Sequence, residues 1–100
     1  MDTPPELESS LRRTPRPAPT AHVATFRLDA ELVVYEPSTA QAHVLNVTAA
    51  RIWELCDGRR TLDDVARHVA AAYVIDPAEA HADVADLVAR LEAAGLLTLV

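Results

Sequence analysis

One hundred residues, half of them hydrophobic, are enough for one domain with a modest core and too few for two. The formal charge is −6, from nine basic residues against fifteen acidic ones; every basic residue is arginine, which excludes Schiff-base chemistry on lysine. Cys56 is the only cysteine, so an internal disulfide and a cysteine-built metal cluster are both excluded. No apolar run approaches about 18 residues and no apolar signal segment opens the chain, which together predict a cytoplasmic protein without a membrane anchor.

Residues 1–21 read as a disordered tail and residues 22–100 as the domain. Five of the seven prolines (Pro4, Pro5, Pro15, Pro17, Pro19) fall in the tail, where they interrupt helix and strand alike. Arg12, Arg13 and Arg16 there balance Asp2, Glu6 and Glu8, so the domain carries the whole −6. Such a body repels a phosphate backbone at long range.

From His22 the pattern acquires period two. Ala24, Phe26 and Leu28 alternate with Val23, Thr25 and Arg27, the signature of a half-buried strand. Asp29-Ala30 makes a tight connection to a second strand, Leu32 to Tyr35, stopped by Pro37. A polar loop from Ser38 leads to a short third strand over Ala42 to Leu45.

Three helices follow. Ala49, Ile52, Trp53 and Cys56 form one apolar stripe, with Asn46 or Thr48 as its cap and Asp57-Gly58 as a left-handed exit. Thr61 caps the second helix with Asp64 in the reciprocal position, and Leu62, Val65, Ala66, Val69 and Tyr73 supply its buried face. Asp76-Pro77-Ala78-Glu79 opens the third as a cap, a first-position proline and a capping-box glutamate. Its stripe is Ala80, Val84, Leu87, Val88 and Leu91; Gly95 ends it, and Leu96 to Val100 reads as a short closing strand. The predicted class is therefore α+β, a three-stranded antiparallel sheet followed by three helices in a winged-helix-like order.

Nothing in this string is a catalytic signature. His22, His43, His68 and His81 are scattered, with no pair at the i, i+4 spacing of a helical metal site. No phosphate loop, nucleophile elbow or dinucleotide glycine pattern occurs. Asp63 and Asp64 are helix neighbours that point apart, suited to the first-turn dipole rather than to acid–base work. Cys56, in phase with Ile52 and Trp53, reads as a buried inert thiol. The chain is expected to be no enzyme and to carry neither cofactor nor metal. DNA reading by the third helix is opposed by Glu79, Asp83, Asp86 and Glu92 against Arg90 alone.

The segment Val44 to Asp64 is the most specific part of the chain. Leu45-Asn46, Thr48-Ala49-Ala50, Ile52-Trp53, Asp57-Gly58 and Thr61, continued by Gly95-Leu96-Leu97, resemble the PqqD-like family of peptide chaperones, or precursor-recognition elements. The resemblance spans roughly residues 22 to 99. It implies a protein that captures the leader segment of a ribosomally made precursor peptide by strand addition and presents it to a modifying enzyme, such as a radical SAM protein or a leader protease. Glu36-Pro37 reverses the proline–glutamate order common in the family, which points away from the quinone-cofactor pathway.

Carried onto this chain, the resemblance implies a docking edge at Gln41, Ala42, His43, Val44 and Leu45. A groove wall would come from Ala80, Asp83, Val84, Leu87 and Arg90 of the third helix. It further implies binding of neither nucleic acid nor membrane, and a monomer or weak homodimer. The alternative reading is an acidic winged-helix transcriptional adaptor or weak DNA-binding protein.

Overall fold

The computed structural model describes residues 15–100. In chain order the elements are β1 (Pro17–Pro19), β2 (Ala24–Leu28), β3 (Glu31–Glu36), β4 (Gln41–Leu45), α1 (Val47–Leu55), α2 (Leu62–Tyr73), α3 (Pro77–Ala93) and β5 (Leu97–Leu99). Strands β2, β3 and β4 form one antiparallel sheet in sequence order, with Phe26, Val33 and Val44 in register across it. The expected α+β architecture of three strands followed by three helices is present among the described residues.

Turn chemistry fixes the register. Asp29 takes a left-handed φ of 55° in the two-residue β2–β3 connection, a conformation its short polar side chain tolerates. At the end of β3, Glu36 organises the next turn: its Oε1 accepts from both Ser38 N–H and Ser38 Oγ, each at 2.7 Å. Those bonds hold the carboxyl below its ordinary value, the hydroxyl contributing most.

The helices cover one face of the sheet. Leu32, Val34 and Leu45 project into a core completed by Ile52, Trp53, Val65, Val69, Val84, Val88, Leu91 and Leu96. Side chains of β2 depart from expectation. Its alternation is real, but Phe26 and Leu28 lie on the far face and are 56% and 59% exposed. Tyr73, expected in the buried face of α2, is also exposed at the end of that helix.

Helix caps follow the sequence closely. Asn46, rather than Thr48, caps α1 by accepting the Ala49 N–H at 2.9 Å. Thr61 and Asp64 exchange both bonds of a capping box at 3.1 Å. Asp76 accepts from Ala78 and Glu79 N–H, with Pro77 in the first turn; the reciprocal bond expected of the Glu79 side chain is not among these contacts.

The expected tail is corrected where it is described. Residues 1–14 of it lie outside the described residues, but Pro17–Pro19 forms β1, antiparallel to β5. Proline is compatible with a strand whose donors come from alternate positions. Arg16 and Val100 exchange bonds at 3.0 and 2.9 Å, and Thr20 N–H donates to Leu96 at 3.0 Å. Pro17 is fully buried. No described helix is long and apolar enough to cross a membrane.

Candidate functional site

The sheet has two edges, and their surroundings differ. At the β2 edge, a depression of about 440 Å³ lies over Thr25, Leu32 and Trp53, and the Arg27–Glu54 ion pair spans it. At the β4 edge, a groove of about 330 Å³ opens between the strand, the start of α1 and the C-terminal half of α3. Its floor is Leu45, Ala49, Leu87 and Leu91; its rim is His43, Asn46 and Arg90. A wider concavity of about 490 Å³ over α2 is bordered by charged pairs, Arg60–Asp57 and Arg67–Asp64, and has no strand edge beside it. Both edges leave backbone groups unpaired among the described residues, but the Arg27–Glu54 ion pair crosses the β2 opening, and among the described residues none crosses the β4 groove.

The ladder shows which backbone groups are open. A two-residue turn makes Leu28 and Glu31 a hydrogen-bonded pair, so Glu31, Val33 and Tyr35 bond toward β2. Leu32, Val34 and Glu36 then bond toward Leu45, His43 and Gln41 of β4. The N–H and C=O groups of Ala42 and Val44 are left directed at the open edge. Side chains alternate the other way: His43 and Leu45 face the helices, while Ala42 and Val44 (61% exposed) face outward.

Most of the expected site residues gather here, with two corrections. His43, Val44, Leu45, Leu87 and Arg90 line the groove, and Gln41 and Ala42 continue its strand, exposed. Asp83 is exposed one turn before Leu87 on α3. Ala80 and Val84 have no exposed surface and belong to the core, because they lie nearer the start of α3, whereas the groove opens at its C-terminal half over Leu87, Arg90 and Leu91. Asn46, Ala49 and Leu91 line the groove without having been assigned to it. Sequence marks them as cap and stripe residues; the fold brings the start of α1 and the C-terminal half of α3 together beside β4.

Charged and reactive groups elsewhere are accounted for locally. Arg90 pairs with Asp86 at 3.3 Å on an exposed face, so α3 offers exposed carboxylates and one paired cation. Asp63 pairs with His81 at 3.0 Å across α2 and α3. Cys56 is 1% exposed, and burial, reinforced by neighbouring Asp57, pushes its thiol up to about 12, as expected of an inert side chain. Among the described residues no cluster of His, Cys, Asp and Glu is arranged to hold a metal ion.

A small α+β domain whose β4 edge lies open beside a groove floored by Leu45, Ala49, Leu87 and Leu91 is the class that this geometry defines. The chain belongs to the PqqD family: residues 31–97 match the family of coenzyme PQQ synthesis protein D. Among solved structures it is similar to TbiB1 in complex with the TbiA(beta) leader peptide (TM-score 0.74, 22% identity, covering 80% of this chain and 93% of that one). It is also similar to a lasso peptide synthetase B1 complexed with the leader peptide (0.75, 23%, 83% and 98%). A third similar structure is the PqqD truncation of Methylobacterium extorquens PqqCD, a functional, stand-alone recognition element for ribosomally synthesised and post-translationally modified peptides (0.69, 25%, 82% and 87%). No curated protein matches the sequence.

Proposed function

We propose that this chain is a non-catalytic recognition element. It captures the leader segment of a precursor peptide as an added strand on β4 and presents it to a modifying enzyme. The observation that carries this reading is the pairing of open backbone groups at Ala42 and Val44 with an apolar floor of Leu45, Ala49, Leu87 and Leu91. Backbone bonds set the register of an extended peptide with little sequence preference, and the floor selects an apolar side chain at alternate positions. Gln41 to Leu45, Leu87 and Arg90 are the proposed contacts, with Asp83 at the far rim. Family membership and the leader-bound neighbours support the same reading.

Ordering a disordered leader costs roughly 1–2 kcal/mol per residue fixed, so a net affinity of about micromolar, near −8 kcal/mol, suits a peptide that must be handed on. The enzyme partner belongs to a peptide-modifying class such as a radical SAM protein or a leader protease. The test is an amide NMR titration with the precursor encoded beside this chain. Saturable shifts along Gln41 to Leu45 and around Leu87 to Leu91 are expected. Shifts on those amides from duplex DNA, and none from the peptide, would replace the proposal with the adaptor reading.

A further inference from the structure

Helices α2 and α3 end in the same hydrogen-bond pattern but on different residues. At the end of α3, Gly95 takes a φ of +79°, and the Leu96 N–H reaches back to the Leu91 carbonyl at 2.9 Å. At the end of α2, Val74 takes a φ of 52°, and the Ile75 N–H reaches back to the Ala70 carbonyl at 3.2 Å. In both, the next residue turns inward: Leu96 is buried, and Ile75 packs against the core. Glycine suits the left-handed position because it lacks a Cβ, and asparagine is the usual substitute. A β-branched residue is the least suited, since its Cβ crowds the following carbonyl and its χ1 is restricted.

No packing inside the domain offsets that strain. The Val74 side chain is 90% exposed, and Tyr73 beside it is 38% exposed. Ala71 and Ala72 are exposed in the same turn. Strain and exposure therefore coincide at a position where asparagine would make the same turn without either. A backbone outlier that nothing within the fold offsets calls for a role outside it.

Shape, charge and place define what would cover this corner. A side chain so exposed projects from the surface, so its complement is an apolar recess. The first charges after it are Asp76 and Glu79, both exposed, which favours a cationic border on that recess. Two side chains fall far short of the roughly 800 Å² per partner that a stable dimer buries, which disfavours pairing of two copies here. Ten residues of α3 separate Pro77 from Leu87 on the groove floor, about 15 Å along the helix axis, so the corner stays free when the groove is filled.

We infer that the Tyr73–Val74 corner is a docking knob for the peptide-modifying enzyme, which seats it in an apolar recess bordered by arginine or lysine. The inference rests on the leader-binding reading of the β4 groove and adds an enzyme contact that the leader does not touch. Enzyme association through this corner is accordingly expected both with and without leader.

The experiment uses the full chain carrying V74N, with the precursor peptide and the purified modifying enzyme encoded beside this chain as probes. Asparagine relieves the left-handed strain, so the melting midpoint is expected to equal that of wild type or exceed it by up to about 5 °C. Leader affinity should stay within about twofold of wild type, while enzyme association falls at least tenfold. A second variant, E79Q, keeps the knob and should weaken enzyme association several-fold at low salt and less at high salt. Unchanged enzyme association in V74N overturns the inference. A midpoint below wild type also overturns it, because the valine would then serve the fold. So does a wild-type dimer in sedimentation that becomes monomeric in V74N, since the corner would belong to a second copy. Failure of the wild-type chain to bind leader defeats the underlying reading instead, and is recognised before enzyme is added.

Discussion

Gly58 donates its N–H to the Pro17 carbonyl at 2.8 Å, joining the turn after α1 to the N-terminal strand. The glycine sits at φ +80°, and a Cβ there would lie 3.2 Å from the Ala18 Cβ. Its role is therefore docking β1 rather than ending α1, which Cys56 already terminates through its N–H to Trp53. Gly58→Ala combines left-handed strain with that close approach and is expected to cost about 1–2 kcal/mol, lowering the melting midpoint by roughly 5–10 °C. Adding Ala18→Gly should recover only the steric share. A midpoint equal to wild type in Gly58→Ala would remove the strap role.

Core and groove on α1 and α3 should separate by mutation. Val84 has no exposed surface, and Val84→Ala is expected to destabilise the fold by roughly 2 kcal/mol while leaving leader affinity unchanged. Ala49 is half-buried on the groove floor. Ala49→Leu projects into the groove proposed to receive a leader side chain and should weaken binding at least tenfold with little change in melting. Calorimetry of both variants checks the pair; a binding defect in Val84→Ala would return that residue to the site.

What the sequence made legible is what local chemistry dictates. The Thr61–Asp64 box, the Asp76-Pro77 start and the Gly95 stop are short-range signals, and each sits where its spacing put it. Strand alternation was equally legible, but period two does not say which face meets the helices, so Phe26 and Leu28 read as half-buried. β1 was hidden because its pairing is with β5, about eighty residues away, and prolines carry no strand signal. The groove was half legible. The proposed docking strand followed from the family likeness, whereas Ala80 and Val84 share a stripe with Leu87 and Leu91 and differ only in lying nearer the start of α3, away from the groove.

Strand addition makes a contrasting prediction for adjacent residues. The Val44 N–H faces the open edge, and the His43 N–H faces β3. Val44→Pro removes a donor that the fold itself does not use, so the protein should fold normally and lose leader affinity about tenfold or more. His43→Pro removes a ladder bond and should destabilise the sheet. Melting curves and peptide titration distinguish the two; equal leader affinity in Val44→Pro and wild type would exclude backbone docking at this edge.

Acid should loosen the turns before it dissolves the core. Glu36 is held below its ordinary 4.5 by Ser38, Asp57 below 3.8 chiefly by the Arg59 N–H, and Asp64 below 3.8 by Thr61 and then Arg67. A carboxyl with a lowered folded pKa contributes stability that is complete above its unfolded value and is lost as pH falls through the folded one. Stability is accordingly expected to be flat above about pH 5 and to decline progressively below about pH 4. Glu36→Gln removes one of these titrations, so its stability should vary less with pH across that window while being lower at neutral pH. Because Glu36 sets the turn that leads into β4, the same variant should broaden the amide resonances of Gln41 and Ala42. Denaturant unfolding at stepped pH, read beside those two amides, tests both halves; an acid slope identical to wild type would show that Ser38 does not hold the Glu36 carboxylate in solution.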